Sequence, residues 1–344
     1  MRRAKTAAAA VFTNPQGRGM LPPLSPAANA MTDFSPFANR LGKNIKHRLK
    51  WAKRLQLEAW RAYDRDVPQF PFAVDIYGGH AHVQEYDTGW LMSPADHRRW
   101  LEGAVEAVAF VCGFPAQNIH LKQRSRQKGL QQYQKTGSTG EDFIVSENGR
   151  KFWVNLDKYL DTGLFLDHRN TRKTVGDSAA GKRFLNLFAY TGSFSVYAAT
   201  GGAVSSESVD LSNTYLEWAQ RNFALNGINP QAHRTVRADV FQYLQQANVQ
   251  NKRFDLIVLD PPSFSNSKKM HDILDIGRDQ IPLVRQTMRL LESNGTLYFS
   301  NNLRSFSLAP ELAAEFHIRD VSAQSVPDDF RNKKIHQCFE VKHR

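Results

Sequence analysis

The stretch of this chain best suited to chemistry is an apolar run that ends on an acid, two prolines, a serine and a phenylalanine, FDLIVLDPPSF at residues 254–264. The apolar residues predict a buried parallel strand, and open α/β sheets bind ligands just beyond the carboxyl ends of their strands. The prolines fix the backbone and donate no N–H, so they form a stiff bracket suited to a planar nucleobase. An ordinary strand exit, in which proline ends the pairing, is the open alternative. The candidate catalytic residues are Asp260, Pro261, Pro262, Ser263 and Phe264.

Two further acids, Asp210 and Asp239, follow other strand-like runs. Asp210 comes eighteen residues after Gly192, near the distance at which an acid commonly reaches a ribose diol. The turn at Gly192 lacks the three glycines of a dinucleotide-binding fingerprint, which disfavours a nicotinamide cofactor. Each acid alone is also explained as a helix N-cap. Together with Asp260 they favour an adenosine-type cofactor that carries no phosphate.

A sheet is needed to position these residues, and from residue 184 onward the chain alternates between strand and helix patterns. The predicted strands are residues 184–190, 203–210, 233–240, 254–260 and 295–302, and the predicted helices are residues 194–200, 213–226, 241–247 and 279–291. Such alternation is typical of a doubly wound, mostly parallel α/β sheet of the Rossmann-like kind. We expect the acids to meet at the carboxyl edge of that sheet.

Ahead of the sheet, composition predicts a disordered tail over residues 1–38 and a small α+β domain over residues 39–158, which leaves residues 159–344 for the sheet domain. Residues 39–66 place apolar side chains at helical spacing among many lysines and arginines, which predicts a basic amphipathic helix. A strand-strand-helix-strand-strand unit follows, with its elements at residues 72–77, 81–86, 94–112, 119–123 and 143–154. For the basic helix, direct RNA contact and a merely solvated face are equally open.

The charge balance points to a polyanionic partner. Lysine and arginine number 45 against 33 aspartate and glutamate residues, a net charge of +12. Nucleic acid is the leading candidate for such a partner, although a solvated basic surface is the alternative. Residues 124–135, RSRQKGLQQYQK, interleave cations with a tyrosine and predict a phosphate and base contact surface. Its candidate residues are Arg124, Arg126, Lys128, Tyr133 and Lys135.

Membrane insertion, export and cysteine-based metal binding find no support in the sequence. The apolar stretch at residues 104–114 is too short to span a bilayer and contains Glu106, and the apolar run at residues 7–12 is too short for a signal peptide. Cys112 and Cys338 are the two cysteines and lie far apart in sequence. We therefore expect a cytoplasmic protein with neither a disulfide framework nor a metal site.

Three motifs resemble class I S-adenosylmethionine-dependent RNA methyltransferases: YLDTGLFLDHR at residues 159–169, NLFAYTG at residues 186–192 and DPPSFSNSK at residues 260–268. More closely, the chain from about residue 39 onward is similar to the guanine-N7 methyltransferase half of bifunctional 23S rRNA large-subunit methyltransferases. That resemblance includes QKGLQQYQK and the FSNN segment at residues 299–302. It implies S-adenosylmethionine as cofactor, 23S rRNA or a large-subunit precursor as partner, and 7-methylguanosine as product.

The resemblance also implies roles for individual residues. Asp210 is implied to bind the ribose hydroxyls and Asp239 the adenine amino group, while the turn around Gly192 lines the methionine part of the cofactor. The segment at residues 159–169 is implied to close over the cofactor, and a domain linker with local ion pairs is its alternative. The remaining cofactor-binding residues on this basis are Asp161, Phe165, Asp167, Arg169, Asn186, Tyr190, Thr191, Ser193, Val240 and Asp260.

The residues around the two prolines bear on which atom is methylated. Methylation of a pyrimidine C5 needs a cysteine nucleophile, but Ser263 and Asn301-Asn302 occupy the relevant positions. Exocyclic-amine enzymes usually carry an aromatic residue fourth in the motif, whereas Phe264 is fifth here. Guanine N7 has an in-plane lone pair and loses no proton, so its methylation depends on alignment rather than on a base.

Two rival functions stay open on sequence alone, an exocyclic-amine rRNA methyltransferase acting on guanine N2 or adenine N6, and a non-catalytic RNA-binding ribosome-assembly factor. Asn301, Asn302 and Arg304 are candidate contacts to a base edge or phosphate, and a polar strand exit explains them equally well.

Overall fold

The computed structural model describes residues 32–86, 92–124, 140–159, 161–265 and 274–344. The chain divides into two compact units. The first comprises Met1–Gln127 and Val145–Gly149, and the second comprises Lys128–Ile144 and Arg150–Arg344.

The first unit is a four-stranded sheet with two helices. Its elements are α1 (Ser35–Arg54), β1 (Ala59–Asp64), β2 (Phe72–Tyr77), β3 (His80–Tyr86), α2 (Pro94–Cys112) and β4 (Ile119–Arg124). The strands follow the order β1-β2-β3-β4. The first two pairs are antiparallel, whereas β3 and β4 are parallel, with α2 as the crossover between them. Gly78, with a φ of 59°, lies in the predicted hairpin turn between β2 and β3.

The predicted basic helix is confirmed in its first part and wrong in its second. Helix α1 ends at Arg54, and residues predicted to continue it form β1, in which all six side chains are buried. Gln56, with a φ of 53°, lies in the left-handed region, which stops the helix before the strand begins. At the other end α1 begins at Ser35 inside the predicted tail, because the Phe37 ring is fully buried and packs 4.9 Å from the ring of Tyr63.

A buried ion pair crosses the sheet of the first unit. The Arg61 guanidinium donates to both carboxylate oxygens of Asp75, at 2.7 and 2.9 Å. Both side chains are nearly inaccessible, with 7% and 6% of their surface exposed. Asp64 also lies 3.9 Å from the guanidinium. The guanidinium charge is therefore stabilised by its carboxylate partners rather than by water.

Asp75→Ala is expected to destabilise the protein by about 3–5 kcal/mol, because it leaves a buried guanidinium without its carboxylate. The double variant Arg61→Met/Asp75→Leu removes both charges while keeping comparable volume, and it should recover more than half of that loss. Urea denaturation followed by tryptophan fluorescence measures both. Equal losses in the two variants would contradict the electrostatic explanation.

The second unit is built on a seven-stranded sheet. Its main elements are α3 (Arg169–Asp177), β7 (Arg183–Leu187), α4 (Ser193–Thr200), β8 (Ser205–Asp210), α5 (Asn213–Leu225), β9 (His233–Arg237), α6 (Val240–Val249), β10 (Phe254–Leu259), α7 (Ile276–Met288), β13 (Leu291–Asn301), α8 (Pro310–Glu315), β14 (His317–Asp320), α9 (Ser322–Ser325) and β15 (Gln337–Lys342). A small sheet pairs β11 (Phe264–Ser265) with β12 (Leu274–Asp275). Strand β6 (Arg150–Val154) also belongs to this unit, whereas most of β5 (Phe143–Glu147) belongs to the first unit.

The strand order β14-β15-β13-β10-β7-β8-β9 defines a doubly wound sheet. Strands β13, β10, β7, β8 and β9 are parallel, and β15 runs antiparallel between β13 and β14. From β7 the chain moves outward through β8 and β9 and then returns to β10 on the other side. Such a reversal opens a crevice at the carboxyl ends of the central strands. The predicted Rossmann-like α/β class, with a small α+β unit before it, is confirmed.

Within the described ranges, no helix combines the length and the apolar character needed to cross a membrane.

Candidate active site

The three predicted acids lie at one edge of the large sheet. Asp210 is the last residue of β8, Asp239 precedes α6 two residues after β9, and Asp260 directly follows β10. Because these strands are parallel neighbours on either side of β7, their carboxyl ends meet at the same edge. The strand patterns therefore predicted both the acids and their common location.

The turn between β7 and α4 has an unusual backbone. Phe188, Tyr190 and Gly192 have φ values of 58°, 50° and 72°. These values lie in the left-handed region, which residues other than glycine rarely adopt. A Cβ at Gly192 would lie 2.8 Å from the Cβ of Ala219. Strained backbone of this kind clusters at ligand sites, because surrounding contacts must hold it in place.

Asp210 supplies one of those contacts. Its Oδ2 accepts a hydrogen bond from the Tyr190 N–H at 2.9 Å, and its Oδ1 accepts from the Ser212 N–H at 2.8 Å. Burial nevertheless raises the pKa of Asp210 to about 6, against the opposing effect of these donors. The Leu211 N–H is a third donor to this carboxylate, which has about four lone-pair sites, so one site remains to accept a ribose hydroxyl.

Asp239 begins a helix with one of its two carboxylate oxygens. Its Oδ1 accepts from the N–H groups of Phe241 and Gln242, which makes it the N-cap of α6. The N-cap alternative is thus realised at this acid. Its Oδ2 makes no hydrogen bond in the described part of the chain, and an adenine amino group is a suitable donor for it.

The segment at residues 159–169 is tied to the same turn. The Gly163 N–H donates to the Tyr190 hydroxyl at 3.0 Å, and its carbonyl accepts from the Thr191 hydroxyl at 2.7 Å. A Cβ at Gly163 would lie 2.3 Å from the Trp218 ring, so only glycine allows this approach. The Phe165 ring lies 5.0 Å from the Tyr190 ring and is 40% exposed. An exposed aromatic side chain therefore stands beside the turn predicted to hold the cofactor.

Asp260 is held by groups that the sequence did not identify. The Ser300 hydroxyl donates to its Oδ1 at 2.6 Å, and the His168 Nε2 lies 3.5 Å from its Oδ2. The His168 ring stacks on His336, with centroids 4.3 Å apart and planes 9° from parallel. His336 Nδ1 is in turn 2.8 Å from the Oδ2 of Asp167. His168 lies inside a motif already singled out, but no local pattern connects it with His336.

Burial and neighbouring charges together shift the pKa values of His168 and Asp167 downward. Burial lowers the pKa of His168, with Asp260 opposing the shift. Burial also disfavours the ionised Asp167, yet His168 and His336 hold the pKa of that carboxyl well below its usual range. The donor atoms of Asp167, His168 and His336 lie within 4.8 Å of one another. A hydrogen bond and ring stacking explain that grouping.

Two residues predicted to bind the cofactor instead make buried contacts with protein groups. The Arg169 guanidinium, which is 2% exposed as a residue, pairs with Asp329 at 2.8 Å. Asn186 donates to the Ser195 hydroxyl at 3.0 Å. Ser193 and Val240 are buried first residues of α4 and α6, and Asp161 is partly buried. The cofactor roles of these residues stay predictions.

The residues after Asp260 form the rim of the site. Pro261 is buried, Pro262 is partly buried, and the Phe264 ring is 44% exposed. The Ser263 hydroxyl donates to the Asn302 side-chain oxygen, which joins the proline bracket to the end of β13.

Asn301 and Arg304 extend this rim beyond β13. Asn301 is buried, and its Nδ2 has no acceptor among the described residues, whereas Arg304 is exposed. A buried donor without an acceptor marks a place where a ligand atom would be stabilising. Of the predicted RNA loop, Arg124 ends β4, and the other candidates, Arg126, Lys128, Tyr133 and Lys135, lie outside the described residues.

These features match a known family. A family model described as S-adenosylmethionine-dependent methyltransferase matches residues 91–333, and the chain belongs to this family. The protein accordingly uses S-adenosylmethionine, as predicted from the motifs. The residues present fit this cofactor, since Asp210 and the free oxygen of Asp239 can accept hydroxyl and amino groups beside a turn that lacks a side chain at Gly192.

Curated relatives share most of the chain. It is 69% identical over 314 residues to ribosomal RNA large subunit methyltransferase K of Neisseria meningitidis serogroup B, a match covering 91% of this chain and 89% of that protein. It is 49% identical to ribosomal RNA large subunit methyltransferase K/L of Allochromatium vinosum, covering 89% of this chain and 42% of that protein. The chain thus spans less than half the length of the K/L relatives.

Solved structures show the same fold. The SMU.776 protein complexed with SAH matches at a TM-score of 0.72 and 26% identity, covering 91% of this chain and 83% of that chain. The aTrm5 structure in complex with tRNALeu matches at a TM-score of 0.52 and 13% identity, covering 86% of this chain and 76% of that chain. The second similarity bears on the fold alone.

Cofactor binding is expected to weaken as the pH falls through about 6, the value to which burial raises the pKa of Asp210. Below that pH the carboxyl is protonated and accepts fewer hydrogen bonds, so affinity should fall by up to about tenfold per pH unit. Above it, affinity should reach a plateau. Calorimetric titration with S-adenosylhomocysteine between pH 5 and 8 measures this, and Asp210→Asn should remove the step. Constant wild-type affinity over that range would exclude the role of Asp210.

Gly192→Ala is expected to lower cofactor affinity at least about tenfold and to destabilise the protein by about 1–3 kcal/mol, because the new Cβ strains the left-handed turn and meets Ala219. Gly227→Ala is the matched control, since Gly227 also has a positive φ, of 66°, but open space around its Cβ. Measurements of S-adenosylhomocysteine affinity and of thermal unfolding distinguish the two variants. Equal loss of binding in both variants would show that backbone strain alone is responsible.

Proposed function

We propose that the protein transfers the methyl group of S-adenosylmethionine to N7 of a guanine in 23S rRNA. The observation that carries the proposal is the geometry at Asp260: a proline bracket, an exposed Phe264 ring and no accessible thiol in the described part of the chain. The 69% identity to a large-subunit rRNA methyltransferase supports the choice of RNA.

The cysteines are unsuited to a nucleophilic mechanism. Cys338 pairs across the sheet with Ser300, which brings it near Asp260, but it is fully buried. Burial raises the pKa of both thiols, that of Cys112 to about 12. A nucleophilic cysteine needs an accessible thiolate, so methylation of a pyrimidine C5 is disfavoured.

Attack by guanine N7 demands little of the protein beyond alignment. The N7 lone pair forms the new bond to the methyl carbon, the carbon–sulfur bond breaks, and its electron pair returns to sulfur. The base becomes cationic and releases no proton, so no general base is required. The bracket at Pro261 and Pro262 would hold the base edge while Phe264 stacks on its face, and this orientation supplies the catalysis.

Methylation of an exocyclic amine is the second candidate, and the contact of Asp260 with His168 favours it. An amine must lose a proton, and Asp260 has a carboxylate oxygen 3.5 Å from the His168 Nε2. These two groups offer a route for that proton. Exocyclic-amine enzymes usually carry an aromatic residue at the position of Ser263, which disfavours this candidate.

Incubation with labelled S-adenosylmethionine and unmodified 23S rRNA is expected to yield label in 7-methylguanosine, identified by nucleoside mass spectrometry. Asp239→Ser is the matched variant, because serine keeps the N-cap of α6 but lacks the second oxygen that would accept the adenine amino group. It should lose most of the activity at limiting cofactor while keeping its thermal stability.

The other possible outcomes of this experiment distinguish the rival functions. Label in N2-methylguanosine or N6-methyladenosine would overturn N7 as the target and support the amine reaction. An absence of label in rRNA, with S-adenosylhomocysteine binding intact, would overturn the rRNA substrate and favour an assembly factor.

A further inference from the structure

Helix α1 presents two faces of opposite character. Its 20 residues span about 30 Å at 1.5 Å per residue. The buried face packs into the core of the first unit through Phe37, Ala38, Leu41, Ile45 and Ala52. At 100° per residue the exposed cations fall on one arc opposite that face: Arg40, Lys43, Lys46, His47, Lys50, Lys53 and Arg54.

The described acidic residues do not neutralise the charge of this face. Residues 35–54 contain no aspartate or glutamate. Among the described residues, no acid forms an ion pair with any lysine or arginine of the exposed arc. Some exposed cations elsewhere are paired, as in Lys173 with Asp177 and Arg319 with Glu340. A helix face that is only solvated usually mixes both signs, so the uniform charge requires another explanation.

The spacing of the cations fits a nucleic-acid backbone. Neighbours along the arc are three or four residues apart, as in Lys43, Lys46 and Lys50, which places them about 4.5–6 Å apart along the helix axis. Such a row can contact successive phosphates of one strand. The arc contains no exposed aromatic side chain, so it offers charge without stacking.

A membrane surface fits this face poorly. Helices that lie on membranes insert an apolar face below the headgroups. The apolar face of α1 is already covered, since Leu41 and Phe37 are fully buried within the first unit. Only the charged face is available to a partner.

We propose that the exposed arc of α1 is a sequence-independent docking surface for the phosphate backbone of RNA. It belongs to the first unit, whereas the acids and the proline bracket belong to the second. Docking here raises the concentration of rRNA at the enzyme without contacting the reacting base. The inference rests on the proposed RNA substrate and specifies a surface that binds it.

The test compares two triple variants of the full-length chain that remove the same charge. Lys43→Gln/Lys46→Gln/Lys50→Gln neutralises the arc, and glutamine has nearly the helix propensity of lysine. Lys182→Gln/Arg253→Gln/Arg289→Gln is the control. Its residues precede β7, β10 and β13, at the sheet edge opposite the acids. Binding of unmodified 23S rRNA is measured between 50 and 200 mM salt, together with methylation kinetics and S-adenosylhomocysteine binding.

The arc variant is expected to bind RNA about ten- to a hundredfold more weakly and to reduce the slope of log affinity against log salt by about 2, since each lost phosphate contact removes 0.7–0.9. Its KM for RNA should rise by the same factor while kcat and S-adenosylhomocysteine binding stay unchanged. The control should change RNA affinity less than about threefold.

Equal losses in the two triple variants would overturn the docking surface, because net charge alone would then explain them. Wild-type RNA affinity in the arc variant would overturn it as well. A third outcome separates the two proposals. If only the arc variant loses RNA binding, but the wild-type protein produces no methylated nucleoside, the docking surface is supported and the proposed function is rejected.

Discussion

The hydrogen bond from the Tyr190 N–H to Asp210 is the interaction on which the site depends. It joins the turn after β7 to the end of β8 and holds that turn in a left-handed conformation. The same turn then fixes Gly163 through the Tyr190 and Thr191 hydroxyls. One carboxylate thus arranges the glycine turn and, through it, the segment that carries Phe165.

The acids at the sheet edge accept hydrogen bonds from backbone groups and keep lone pairs that a ligand could use. Asp239 uses one oxygen to begin a helix, and Asp210 uses both to hold backbone N–H groups, with one lone-pair site remaining. The choice between a helix cap and a cofactor contact is therefore not exclusive. Burial raises the pKa of Asp210 to about 6, so the ionised form of this carboxyl carries a solvation penalty.

Much of the sheet could be predicted from the sequence because strand endings are local. The apolar strand pattern before Asp260 and the helix patterns between the strands can each be recognised within about ten to fifteen residues. The prediction that the helix continues beyond Arg54 was wrong because Leu55 and Ala59 keep helical spacing, although α1 has ended before Leu55 and Ala59 begins β1. Packing in the sheet, rather than spacing, decides the conformation there.

The partners of Asp260, Asp167 and Arg169 could not be predicted, for a different reason. Ser300, His336 and Asp329 come from later parts of the chain, and only the folded sheet brings them to their partners. A sequence pattern that repeats every two or four residues carries no signal of such distant pairs.

The position of β15 has a consequence for the order in which the protein is made. This strand follows all the other described strands in sequence, yet it lies between β13 and β14 rather than at the sheet edge. A nascent chain released only as far as β13 has an unpaired strand edge there, open to wrong partners. It also lacks His336, the ring that stacks on His168. Closure of the sheet and the stacking contact with His168, which lies beside Asp260, therefore arrive together, after β14 has been made.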